Sequence, residues 1–232
     1  MRVVLFAGSG GVGRTTAAAA TAVLAARSAK VLLVSSGAFG VPPGPEPVAV
    51  GDLRVLHVDV RAAFERRWPA ADLALPPGAA ELVTLLEARE RALAGNWDAV
   101  LLDAPPLSAL LALGSLPGTV ERLWPEHTRI VHRSAFTDVV GSLQSALESA
   151  TSLLARASVR LVVQPSASGV AAVHRAVGAL TLHGYAVDSV IANRLVPAAA
   201  GDSAWVRSVR AAQEAALAAL EVGVPMLSLI HI

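Results

Sequence analysis

Short runs of apolar residues recur along this chain, with longer helical patterns between them. They predict strands at Val3–Ala7, Lys30–Ser35, Leu53–Val60, Asp98–Asp103, Thr128–His132, Val159–Val163, Val187–Asn193 and Val224–Leu229. Most are apolar at consecutive positions; Leu53–Val60 alternates, and only weakly. A strand that is apolar on both sides must be covered on both sides, as in a parallel sheet. The intervening segments read as helices. Thr15–Ala26 is rich in Ala, the strongest helix former. Ala62–Gly95 reads as one or two helices broken at Pro76-Pro77-Gly78, and Ser142–Ala157 as another. An amphipathic helix runs from Ser166 toward Gly184, which sits where a glycine ends a helix. Asp202 or Ser203 caps a helix carrying Trp205–Glu221. Phe39–Asp52, rich in Pro and Gly, predicts a loop. The alternation predicts an α/β fold, a mostly parallel sheet with helices on both faces.

The junction between the first strand and the first helix reads Gly8-Ser9-Gly10-Gly11-Val12-Gly13-Arg14-Thr15-Thr16. Glycines there let backbone N–H groups converge on one point, and the helix start adds positive partial charge. A phosphate chain fits such a concavity. A hydroxyl at Thr15 can reach a magnesium ion, and Thr16 an inner phosphate oxygen. The spacing is that of a P-loop, Gly, four residues, Gly, a basic residue, Thr, with Arg14 in the lysine place. The alternative is a tight strand-to-helix turn that binds nothing.

Composition narrows the field. The 232 residues are 54% hydrophobic and 16% charged, so a substantial core is expected. The chain reads as one domain, 1–232, with 61–95 as a small helical insert. Its tail, Leu227–Ile232, ends in mid-strand and reads as a frame that stops short or as final residues that are not native sequence, or else as an edge strand. A net charge of +1 gives no steering toward nucleic acid. Lys30 is the one lysine among 19 basic residues, so Arg14 also fits a chain-wide bias. The longest uncharged run, between Asp103 and Glu121, holds three prolines and makes a poor membrane helix. No membrane insertion and a cytoplasmic location are expected. Zero cysteines exclude thiolate chemistry within this stretch. The charges Glu87, Arg89, Glu90 and Arg91 read as a solvated face. The histidines, including His57 beside Asp59, read as structural, and the four tryptophans as packing or interface residues.

With Asp103-Ala104-Pro105-Pro106 and Ala192-Asn193-Arg194-Leu195-Val196-Pro197 added to the loop, the chain resembles the ArsA-type anion-pump ATPase family. That family also contains the ATPases that guide tail-anchored membrane proteins. The resemblance covers nearly the whole chain and implies a P-loop NTPase fold of the deviant Walker A type. It implies that Gly10, Gly11, Val12, Gly13, Arg14, Thr15 and Thr16 hold the phosphates of ATP or ADP. Thr15 and Asp103 would stand on the Mg2+ side, and Asn193 would hydrogen-bond the adenine. It also implies a homodimer, or a heterodimer with an intact family member.

The departures are as informative as the matches. The family loop reads G-K-G-G-V-G-K-T-T, and this chain has Ser9 and Arg14 at the two lysine positions. Arginine keeps the charge in a longer, planar form. The family's D-P-A-H segment falls on Gly37-Ala38-Phe39-Gly40, without its carboxylate, and Pro106-Leu107 replace the end of A-P-T-G. Nucleotide binding with impaired hydrolysis is therefore expected, with Arg14 the remaining candidate for a catalytic role. The alternatives are an active Mg-ATPase in which Arg14 and residues outside these motifs suffice, and a nucleotide-free scaffold acting by protein contacts.

Overall fold

The computed structural model describes residues 1–37, 40–69, 78–103, 106–109, 111–112, 135–220 and 223–228. The elements, in chain order, are β1 (Arg2–Gly8), α1 (Arg14–Ala26), β2 (Val31–Ser35), β3 (Val48–Val50), β4 (Leu53–His57), α2 (Val60–Arg67) and α3 (Ala79–Ala94). There follow β5 (Ala99–Asp103), α4 (Ala135–Leu154), β6 (Ala157–Val163), α5 (Ala167–Leu182), β7 (Ala186–Ala192), α6 (Ala204–Ala218) and β8 (Met226–Ser228). The strands form one eight-stranded sheet in the order β3-β4-β2-β5-β1-β6-β7-β8. Among the described residues every pairing is parallel except β3 with β4. This is the α/β architecture that the apolar runs predict.

Strand alternation explains why those runs are unbroken. Val3, Leu5 and Ala7 of β1 point into one core with α2, α3, α4 and α5. Val4 and Phe6 point into the other, against Ala17, Ala18, Ala22 and Ala26 of α1. Both sides are buried, so both need apolar side chains. The alanines let α1 lie close to the sheet. Residues 60–94 contribute Phe64, Trp68, Val83 and Leu86 to the same core as Leu32 of β2 and Val100 and Leu102 of β5.

Several sequence expectations need correction. The loop predicted at 39–52 contains β3, which pairs antiparallel with β4 through Val48–Val55 and Val50–Leu53. The strand predicted over 53–60 stops at His57, because the Asp59 carboxylate accepts from Ala62 N at 3.0 Å and caps α2. The helix predicted at 142–157 begins earlier, and Ala157 already opens β6. Of the two cap candidates, Ser203 caps α6, accepting from Val206 N. The strand predicted at 128–132 and the segment 229–232 lie outside the described residues.

The charged stretch of α3 is not all solvated. Glu87 is 2% exposed and accepts from Arg66 at 2.6 Å and Arg67 at 2.9 Å, while Arg67 also reaches Glu90 at 2.6 Å. Two guanidinium groups from α2 satisfy a carboxylate that would otherwise be costly to bury. At the other end of the sheet Asp188 joins three strands, accepting from Arg2 at 2.7 Å, Ser158 at 2.9 Å and Arg160 at 3.3 Å.

Candidate functional site

Strand order places the site. The chain passes from β1 outward to β2 and β4, returns to β5, then continues on the other side of β1 through β6, β7 and β8. Ligands of open α/β sheets bind beyond the carboxyl ends of strands where the order reverses. That place is the end of β1, and Gly8–Thr16 begins there.

Two glycines shape the loop. A side chain at Gly8 would collide with the carbonyl oxygen of Val162 on β6. Gly13 has φ 89° and enters α1 without a side-chain cap, and a Cβ there would meet the Asn193 amide. The first turn of α1 carries no acidic residue and no side-chain cap, so its N–H dipoles are left for an anion.

Asp103 ends β5 opposite Phe6 of β1. Its Oδ2 accepts from Thr15 Oγ1 at 2.7 Å and from Ser35 Oγ at 3.0 Å. Ser35 in turn accepts from Gly37 N at 2.9 Å. Asp103 Oδ1 is buried and has no hydrogen-bond partner among the described residues. A buried carboxylate oxygen without a donor is costly unless something else meets it. A hard cation with its water shell, shared with the Thr15 hydroxyl, is suited to that oxygen. The residues therefore fit a magnesium ion. A cavity of about 250 Å3 opens beside them, lined by Arg14, Thr15, Ser35, Gly37, Glu81 and Asp103. A second, of about 480 Å3, lies on the other side of the loop, between Ser9, Gly10 and Val12 and the start of α5.

Asn193 follows β7 and turns onto the loop, its Nδ2 donating to the Val12 carbonyl at 2.8 Å. Residues 181 positions apart thus meet at the Gly8–Thr16 loop. Thr15, Asp103, Gly13, Val12 and Asn193 form one neighbourhood. Ala104 and Pro105 lie outside the described residues. Ser35 and Glu81 were not singled out by the sequence. Ser35 had a signal, a hydroxyl closing an apolar strand. Glu81 had none, because its place depends on how α3 packs. His57 and Asp59 serve the fold, His57 Nδ1 lying 2.7 Å from the Val41 carbonyl oxygen and Asp59 capping α2.

The family model of anion-transporting ATPases, the ArsA type, matches residues 1–38 and 67–223. The chain belongs to the anion-transporting ATPase family. Among curated relatives, an uncharacterised protein of Streptomyces coelicolor is 31% identical over 94% of this chain and 68% of its own length. A Mycobacterium tuberculosis protein whose name states no activity is 31% identical over 84% of this chain and 59% of its own. A Chlorobaculum tepidum protein, provisionally named an arsenical pump-driving ATPase, is 26% identical over 96% of this chain and 68% of its own. The chain spans between 59% and 68% of the length of these three. No helix among the described residues is long and apolar enough to cross a membrane.

Proposed function

We propose that this chain binds ATP or ADP with Mg2+ and acts as a hydrolysis-impaired subunit of an anion-transporting ATPase. Gly10 to Thr16 hold the phosphates, Thr15 and Asp103 hold the metal, and Asn193 meets the adenine. The observation that carries the reading is the half-buried Asp103 carboxylate, whose Oδ1 is buried and unpartnered among the described residues and whose Oδ2 is tied to Thr15. Bound there, Mg2+ supplies charge neutralisation for the outer phosphates. Arg14 keeps a positive charge at the loop, in guanidinium form.

The impairment is read from what surrounds Gly37. Its N–H is held by Ser35, and it has no side chain with which to orient a water. Phosphoryl transfer depends on positioned charge and an oriented nucleophile. Ser9 offers no charge that could reach a partner subunit's phosphates. A homodimer would then have two slow sites, and a heterodimer with an intact family member would have one. The chain would be a single domain in which α2 and α3 pack as part of the nucleotide-binding body.

Glu81 favours a second reading. It sits in the first turn of α3 and lines the cavity shared by Thr15, Gly37 and Asp103. A carboxylate there can orient a water in place of the one missing at Gly37, giving an active Mg-ATPase. Isothermal titration with ATP and ADP, paired with steady-state phosphate release, separates the readings. Tight binding with negligible turnover supports the first. Brisk turnover by the chain alone, abolished in Glu81→Gln, replaces it with the second. No binding of either nucleotide at millimolar concentration defeats both and leaves a scaffold acting by protein contacts.

A further inference from the structure

Arg194 is the one non-glycine residue with positive φ among the described residues, at 60°. A left-handed conformation is unfavourable for arginine and persists only where neighbours enforce it. Two side chains do so. Asn193 Oδ1 accepts from Arg194 N at 2.8 Å. Gln213 of α6, 8% exposed, donates from Nε2 to the Arg194 carbonyl at 2.9 Å and accepts at Oε1 from Val196 N at 2.9 Å. A buried amide is thus engaged at both ends by the backbone on either side of the turn.

The turn fixes which way the Asn193 amide faces. Val12 offers it only a carbonyl, so that end must be Nδ2. Arg194 offers it only an N–H, so that end must be Oδ1. An asparagine amide has two donor hydrogens and two acceptor lone pairs. One of each is used, and one of each remains. Asn193 is half-buried, and the remaining donor and acceptor have no partner among the described residues. A donor and an acceptor in fixed order match adenine, whose N7 accepts and whose N6 amino group donates. Guanine presents two acceptors on the same edge, and its O6 would face Oδ1.

We propose that Gln213 is a positioning residue for base selectivity: by holding Arg194 in the left-handed turn it keeps the Arg194 N–H on Asn193 Oδ1 and, together with the Val12 carbonyl on Nδ2, holds the amide in the orientation that accepts adenine and rejects guanine. The proposal rests on the nucleotide-binding reading above. Gln213 touches no nucleotide and acts through the backbone of residues 194–196.

The test is isothermal titration of the whole chain with Mg-ADP and Mg-GDP. The wild-type chain is expected to prefer ADP by about tenfold or more, the discrimination typical of one bidentate amide–base pair. In Gln213→Leu the preference is expected to fall to about threefold or less. Adding Arg194→Gly to that variant should restore it, because glycine takes positive φ without a tether. Gln213→Glu keeps the acceptor for Val196 N and loses the donor to Arg194, so it gives the same readout if the leucine variant does not fold. A purely structural role would weaken ADP and GDP equally and leave their ratio unchanged, which overturns the proposal. Equal wild-type affinity for the two nucleotides overturns it while the nucleotide reading stands. Failure to bind either removes the nucleotide reading itself.

Discussion

The Thr15 hydroxyl donates to Asp103 Oδ2 at 2.7 Å, joining the first turn of α1 to the end of β5. Both groups belong to the proposed metal side. Thr15→Ala should leave a folded protein, since Ser35 still donates to Asp103. Wild-type chain with Mg-ATP at a hundredfold excess over Kd should gain about 2.7 kcal/mol of stability. Thermal melting with Mg-ATP and with ATP plus chelator should show that the magnesium-dependent part of this gain disappears in Thr15→Ala.

Gly37 has room for a side chain. A Cβ there would lie 3.4 Å from Ser35 Oγ and 3.9 Å from Asp103 Oδ2, ordinary contact distances. Gly37→Asp therefore meets no clash at Cβ, but its carboxylate would lie near that of Asp103, so it should cost about 1–2 kcal/mol in urea unfolding without Mg2+. Under the impaired-subunit reading it should raise phosphate release at least several-fold, more so in combination with Arg14→Lys. An unchanged rate in the double variant would mean that the missing carboxylate is not what limits turnover.

Gly13 lacks such room. Its φ of 89° disfavours a side chain, and a Cβ would strike the Asn193 amide. Gly13→Ala should lower stability by about 1–2 kcal/mol in denaturant titrations and break the Asn193–Val12 contact. Nucleotide affinity should fall with it.

Glu87 is the buried member of the α2–α3 ion cluster. Glu87→Ala removes the shared acceptor of Arg66 and Arg67 and should cost about 1–3 kcal/mol. Glu65→Ala breaks the exposed Arg61–Glu65 pair and should cost about 0.5 kcal/mol or less. Urea midpoints of the two variants give the comparison, and equal losses would mean that burial of Glu87 adds nothing.

Glu90 gives a pH signature. The hydrogen bond from Arg67 holds its carboxyl below the usual carboxylate range, against the opposing effect of partial burial. A carboxyl whose pKa is lower in the folded state contributes stability above its unfolded pKa and loses it as pH falls through the folded value. Glu90→Gln should therefore be less stable than wild type at neutral pH. The gap should close progressively below the ordinary carboxylate range. Melting curves from neutral pH down through the carboxylate range check the sign, and a gap that widens on acidification would contradict it.

The strand–loop–helix at the amino end was legible because one short stretch carries all of its information. Val3–Ala7, the glycines and the alanine run each dictate their own conformation. The parallel sheet was legible because Val3 and Val4 alike are apolar, and only two-sided burial explains that. β3 was hidden because Val48-Ala49-Val50 lies among prolines and glycines, and its pairing with β4 is a matter of tertiary context. Glu87 was hidden because a charged helix face looks solvated until the arginines of another helix arrive. Thr15 and Asp103 could be named from the family pattern, and their hydrogen bond then required the fold. Ser35, Glu81 and Gln213 act through geometry that no local pattern encodes.

The central strand has a consequence for biosynthesis. β1 is translated well before either of its neighbours, which begin at Ala99 and Ala157. At roughly 5–20 residues per second, Val3–Ala7 waits on the order of ten seconds on the ribosome with both edges open. Until β5 and β6 emerge, helices α1, α2 and α3 can cover the faces of this apolar segment, but both of its hydrogen-bonding edges stay unpaired.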